Sequence, residues 1–473
     1  VKRLKFLLFI FAFFFPFFCG MRGFFACDQS IVFDGGYRLL RGQIPYRDFC
    51  LPFGPVVLWI QAAFFIIFGV NYFAYLLHAA ISNLVFTMVS FSLLRRACRD
   101  DLAVTVGTLL SSIFFYPQFG TPWFEQTGFF FSLLSLYLLW DDRFPFVAGL
   151  FQSLSILSKQ NAGLLMLILL LPIAKRRYRF LLGLGTGLLI FAIWLLIFSS
   201  WTGFVRSVYD IPRTIGWERI GYLFNPARVR WILIGSPLRI LVLIVSTISL
   251  VKGSEWPIPG LIAYHYFFAL ITDNQPENCL PYLGIIIGIT IAHLLRRWRW
   301  SYLTLVLILM VLGMRSAYRR DVQDIFTHTT TFTPIGIGPW RPLRWGEPTP
   351  IWQLQVKRSD VIRLYHYLKG EDRPFFIFPD FTIFYGMVGK PPPQPLLFFD
   401  PGLTYYRSQN QVIDRMVLSA LKRNRVELVI IEKISYFGTP KRMEDFPLTF
   451  RFVRERYRPE REFGIFIVLR RVR

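Results

Sequence analysis

The chain opens Lys2-Arg3-Leu4-Lys5 and runs at once into Phe6-Leu7-Leu8-Phe9-Ile10-Phe11-Ala12-Phe13-Phe14-Phe15-Pro16-Phe17-Phe18-Cys19-Gly20. A basic flank followed by an uncharged apolar run marks a segment that enters a lipid bilayer. The same pattern fits a secretory signal, and Phe24-Phe25-Ala26-Cys27 faintly resembles a lipoprotein cleavage site. The two readings part on whether apolar runs recur downstream. They recur near 72–94, 102–117, 122–140, 144–158, 161–173, 180–200, 231–251, 257–272, 280–295 and 300–314. An uncleaved anchor with its amino terminus inside is therefore expected.

Composition agrees. Only 17% of the 473 residues are charged and 54% are hydrophobic, against about 25% charged in soluble domains. Disorder, a fibrous repeat and an ordinary soluble enzyme are excluded. The net charge of +24 sits largely in short clusters between apolar runs. That distribution favours membrane lipids and a phosphorylated substrate as partners, not nucleic acid. The five cysteines have no CxxC spacing and give no zinc or redox motif. Cys27 and Cys50 are candidates for pairing in an oxidising compartment.

Basic loops face the cytoplasm. Arg95/Arg96/Arg99, Lys175/Arg176/Arg177/Arg179, Lys252 and Arg296/Arg297/Arg299 all do so with about eleven spans. Asp141-Asp142-Arg143 is a neutral turn. The apolar run Phe53–Gly69 breaks this parity if it spans, so it is placed at the outer interface as a juxtamembrane or re-entrant helix. The alternative is a true span there, with one short run miscounted elsewhere. The first external loop, 21–71, then holds that helix and another near 30–41. After Arg315 charges, Pro and Gly return. Strands are expected at Pro374–Phe378, Val426–Ile431 and Gly464–Leu469, with helices over 356–369 and 410–424. The expected architecture is a polytopic α-helical membrane domain, 1–315, followed by a small extracytoplasmic α/β domain, 316–473.

Ionisable groups near membrane depth are functional candidates. Parity puts Asp28, Asp34, Asp48, Glu125, Lys159, Asp273 and Glu277 on the outer side. Asp28, just past the first span, reads as a catalytic carboxylate or a helix N-cap. Asp48, in Pro45-Tyr46-Arg47-Asp48-Phe49, suits a turn. Glu125 opens a span, where the helix dipole also favours an acid. Lys159 is a cation for a phosphate or a snorkelling turn lysine. Loop 201–230 carries Arg206, Arg213, Arg219, Arg228 and Arg230 among Trp201, Tyr209, Trp217 and Tyr222, with Arg239 in the next span. Guanidinium groups beside aromatics suit either a phosphorylated, sugar-bearing lipid or an interfacial belt. No Walker A loop, GxGxxG motif or HExxH motif occurs, and the histidines lack ligand spacing. No nucleotide cofactor is expected, and no metal is indicated.

Asp28-Gln29, then Tyr37-Arg38-Leu39-Leu40-Arg41-Gly42-Gln43-Ile44-Pro45-Tyr46-Arg47-Asp48-Phe49 and Gly54-Pro55, resembles the first external loop of GT-C membrane glycosyltransferases. The likeness is to the bacterial branch related to protein O-mannosyltransferases, aminoarabinose transferases and rhizobial galacturonosyltransferases. Lys159-Gln160-Asn161 is similar to a Lys-Gln-Asn or Lys-Gly-Pro element of that family, and Glu125 falls where members carry an acid. The departure is Gln29, where the family has a second acid. The resemblance covers roughly residues 1–315. It implies sugar transfer from a polyprenyl-phosphate donor to a lipid, glycan or protein acceptor at the outer face of the inner or plasma membrane. Inversion would use Asp28 as general base, with Lys159, Glu125, Arg47, Arg213, Arg219 and Arg239 around the donor. The rival classes are a transporter or flippase of lipid-linked sugars, a glycan polymerase or ligase, and a non-catalytic scaffold. Transporters favour related halves and polar groups at mid-bilayer; here charges sit at helix ends and no repeat is visible.

Overall fold

The computed structural model describes residues 2–116, 120–235, 240, 243, 244, 247, 258–272, 281–294, 332–346, 356–406, 411–433 and 441–472. Arg239, Lys252, Asp273, Glu277, the Arg296/Arg297/Arg299 cluster and the apolar run 300–314 lie outside the described residues. Helices α1 (Lys2–Gly20), α2 (Ala26–Leu40), α3 (Val56–Phe68), α4 (Tyr72–Ala97), α5 (Asp101–Phe115), α6 (Phe124–Trp140), α7 (Pro145–Ile156), α8 (Gln160–Ile173) and α9 (Arg177–Ile197) follow one another. Further apolar helices run Ile258–Thr272 and Leu283–Leu294. Loop 201–230 is itself largely helical, with pieces at Trp201–Val205, Arg213–Gly221 and Pro226–Ile234.

By length and composition α4 and α9 can cross a membrane, and the other apolar helices are shorter. On α9, Leu189, Ile190, Leu196 and Ile197 are 60–70% exposed. Each such side chain forgoes about 1.5–3 kcal/mol of burial if its surroundings are water. Lipid is the solvent that face fits.

The chain forms two compact units. One comprises Val1–Cys19, Leu77–Ile193 and Gly216–Asp321. Its helices approach closely where small residues meet. A Cβ on Gly107 of α5 would stand 2.8 Å from the Gly284 carbonyl oxygen and 2.9 Å from the Gly288 Cα. Such small-residue seams let membrane helices pack backbone to backbone. Arg96 reaches Asp141 at 3.0 Å and Arg176 reaches Asp142 at 3.3 Å. The turns after α4, α6 and α8 therefore meet at one end, as turns assigned to one membrane face must.

The other unit comprises Gly20–Leu76, Trp194–Ile215 and Val322–Arg473. Its four-stranded sheet has the order β3-β4-β6-β5, after a separate hairpin of β1 (Phe332–Pro334) and β2 (Arg344–Gly346). Strand β3 (Phe375–Phe378) runs parallel to β4 (Leu428–Glu432). Strand β6 (Phe466–Arg471) is antiparallel to both β4 and β5 (Tyr457–Phe463). Helix α3 packs on α2: Phe33 and Phe65 meet edge to face at 4.8 Å, while Ile66 and Ile67 stay exposed. The first loop is stitched to the tail. The Cys50 N–H donates to the Pro395 carbonyl at 2.7 Å, and Gln43 Nε2 donates to the Pro392 carbonyl at 2.9 Å.

Candidate active site

Asp28 stands half-buried in the first turn of α2. It is not the N-cap: that position is Phe25, whose N–H donates to the Gln29 carboxamide. Gln29 is 2% exposed, and its Nε2 faces the Tyr72 hydroxyl at 3.4 Å. Tyr72 donates to the Gly20 carbonyl at 2.8 Å, and the Tyr75 hydroxyl donates to the Gln29 carbonyl at 3.0 Å. A neutral amide suits this enclosure, since a carboxylate there would need a counter-charge. Gln29 thus serves as a helix-start brace.

Asp34 and Arg38 form a fully buried pair at 2.7 Å one turn apart. Burial pushes Asp34 up to about 6 despite the guanidinium. Arg38 also donates to the Gln394 carbonyl at 2.8 Å, so its charge ties α2 to the tail. Asp48 accepts from the Ile44 N–H at 2.7 Å and pairs with exposed Arg47 at 2.8 Å, which is the turn chemistry expected of it. Cys27 and Cys50 are both free thiols, so the disulfide expected between them does not form. Cys27 instead faces a lysine from the tail, and Cys50 sits in the apolar core around β3 and β4.

Glu125 and Lys159 come together at 2.8 Å, with side chains 8% and 10% exposed. Each opens a helix, Glu125 in the first turn of α6 and Lys159 as the residue before α8. Asp28, Arg47 and Arg213 belong to one compact unit, and Glu125, Lys159 and Arg219 to the other. Arg213 is exposed and bonds the Tyr406 hydroxyl; Arg219 is half-buried in the last turn of its helix. Arg228 stacks 4.8 Å over Tyr222 and 5.2 Å over Trp231, the guanidinium–aromatic pairing read from the sequence. His265 is buried beside Tyr266.

One cluster escaped the sequence reading. Lys441 Nζ lies 2.6 Å from Asp380 Oδ1 and 3.2 Å from Cys27 Sγ. Glu432 Oε1 accepts from the N–H groups of Asp380 and Phe381 at 2.7 and 2.8 Å. Burial and the neighbouring Asp380 push Glu432 up to about 8, against the pull of those two donors. Burial alone would lower Lys441, but Asp380 and the groups around it hold it well above the usual lysine range. The available signal was an acid just beyond each of two predicted strands, the carboxyl-end position where parallel α/β sheets build sites.

The helices, the first-loop helices and the small α/β tail fit a GT-C-like fold. The crystal structure of ArnT from Cupriavidus metallidurans in the apo state is similar over 98% of this chain and 97% of that one, with TM-score 0.54 and 13% identity. That likeness shows the fold expected from the first loop. A further structure, the archaeal oligosaccharyltransferase AglB from Archaeoglobus fulgidus with an inhibitory peptide and a dolichol-phosphate, aligns at TM-score 0.39 and 11% identity, covering 98% of this chain and 74% of that one. No family model matches the chain, and no curated protein matches it.

Proposed function

We propose that the chain is an integral membrane glycosyltransferase. It moves a sugar from a polyprenyl-phosphate donor to a hydroxyl of a lipid, glycan or protein acceptor, with inversion at the anomeric carbon. The observation that carries this reading is Asp28, half-buried in the first turn of the helix after the opening apolar segment of an ArnT-like fold. The Asp28 carboxylate takes the acceptor proton as the oxygen attacks. The bond from the anomeric carbon to the phosphate oxygen breaks, and polyprenyl phosphate leaves with the electron pair. Its developing charge calls for cations, a role assigned to Lys159 and to Arg47, Arg213, Arg219 and Arg239. Glu125 holds Lys159 in place.

About eleven spans, the amino terminus inside and the 316–473 domain outside complete the topology, by the positive-inside rule. Domain 1–315 carries the chemistry, and the membrane is the bacterial inner or plasma membrane. A lipid-borne donor needs no nucleotide cofactor. The test offers the purified chain a polyprenyl-phosphate sugar and, separately, a nucleotide sugar. Release of polyprenyl phosphate from the first and no transfer from the second is expected. Transfer from the nucleotide sugar alone refutes the reading.

A further inference from the structure

Among the described residues of the tail, the Lys441–Asp380 pair is the most enclosed charge pair, with side chains 3% and 0% exposed. A pair of that kind is seldom needed for stability, because apolar residues of similar volume serve as well or better. Its geometry suggests another use. Asp380 follows Pro379 just beyond β3, and Glu432 ends β4 and binds the backbone of the same turn. Carboxyl ends of parallel strands are where such sheets present functional groups. Here they present Lys441, whose ammonium also reaches Cys27 Sγ at 3.2 Å. Cys27 precedes Asp28 in the first turn of α2. The same turn of the tail packs Phe381 on Phe24, two residues before that helix begins, with ring centroids 5.9 Å apart.

We propose that Lys441 is a positioning residue: anchored by Asp380 at the carboxyl ends of β3 and β4, it fixes the first turn of α2 through Cys27 and so sets where the Asp28 carboxylate stands. The tail is then a working part of the enzyme. This rests on the reading of Asp28 as the proton acceptor. Misplacement by a fraction of an ångström costs rate without weakening substrate binding, roughly 10- to 100-fold.

The test uses the full chain in lipid nanodiscs with a polyprenyl-phosphate sugar donor. Three variants are compared: Lys441→Met with Asp380→Asn, which removes both charges together; Cys27→Ala; and Cys27→Ser, which keeps an acceptor for the ammonium. The first two are expected to lose kcat roughly 10- to 100-fold with KM for donor and acceptor within about twofold. Cys27→Ser recovers most of what Cys27→Ala loses. In an Asp28→Asn background the paired substitution costs nothing further, because it acts only through that carboxylate. Wild-type kcat in the paired variant or in Cys27→Ala overturns the inference and leaves the function standing. So does a loss that adds in full to that of Asp28→Asn. Undiminished transfer by Asp28→Asn alone overturns the function and the inference with it.

Discussion

Replacing Lys159 by Ala strands the Glu125 carboxylate among apolar helices. The two groups are 2.8 Å apart and at most 10% exposed. Their attraction at an effective dielectric of 20 is about 6 kcal/mol, but desolvation of both charges offsets much of it. Removing one partner of such a pair costs about 3–5 kcal/mol. Lys159→Ala should therefore lower the unfolding midpoint sharply, read by tryptophan fluorescence in detergent. Glu125→Gln combined with Lys159→Met leaves no buried charge and should return to within about 1 kcal/mol of wild type. That refolded pair separates the two roles of the lysine. If Lys159 steadies the departing phosphate, the double variant is stable yet transfers roughly 100- to 1,000-fold more slowly. A double variant with wild-type transfer refutes the phosphate role. A double variant as unstable as Lys159→Ala refutes the electrostatic account of the pair.

Other outcomes follow from single contacts. Glu432 binds its proton more tightly folded than unfolded, so it stabilises the tail below pH 4.5 and that contribution is lost as pH rises toward about 8. Stability should fall by up to about 1.4 kcal/mol per pH unit across that window; Glu432→Gln should flatten the profile, and an unchanged slope in thermal melts contradicts the assignment. Gly284→Ala puts a Cβ 2.3 Å from the Ser111 nitrogen and should cost about 1–3 kcal/mol, read by thermal unfolding; no loss means the seam is looser than described. Alkaline phosphatase fused at the carboxyl end should be active and the same enzyme inserted after Arg176 inactive; the reverse pattern inverts the topology.

The helical part of the fold was legible because lipid solvation leaves uniform apolar runs: α4 to α8 fall within a few residues of their expected bounds. Helix α2 begins at Ala26, ahead of the expected 30, because Gln29 accepts from the Phe25 N–H and is held in place by Tyr72 and Tyr75 of α4, tertiary contacts without a sequence pattern. Strand β5 was missed. Its residues Tyr457-Arg458-Pro459-Glu460-Arg461-Glu462-Phe463 are charged and interrupted by proline, as an edge strand can be. Asp28, Glu125 and Lys159 stood out as candidates because charge is conspicuous in an apolar chain, and the last two do meet, at 2.8 Å. The Cys27–Lys441 contact joins residues 414 positions apart, and only the folded tail brings them together. Cys50 is separated from Cys27 by the length of α2 and the Pro45–Phe49 turn and packs in the apolar core around β3 and β4, while Cys27 faces Lys441, and both stay free thiols.

The most direct measurement is the rate of polyprenyl-phosphate release by the purified chain and by Asp28→Asn, in liposomes loaded with a polyprenyl-phosphate sugar and a hydroxyl acceptor. Asn keeps the size and the helix turn but accepts no proton. A fall of roughly 100- to 10,000-fold with unchanged donor binding and unchanged melting is expected. Equal rates for the two proteins contradict the assignment of Asp28 as the base.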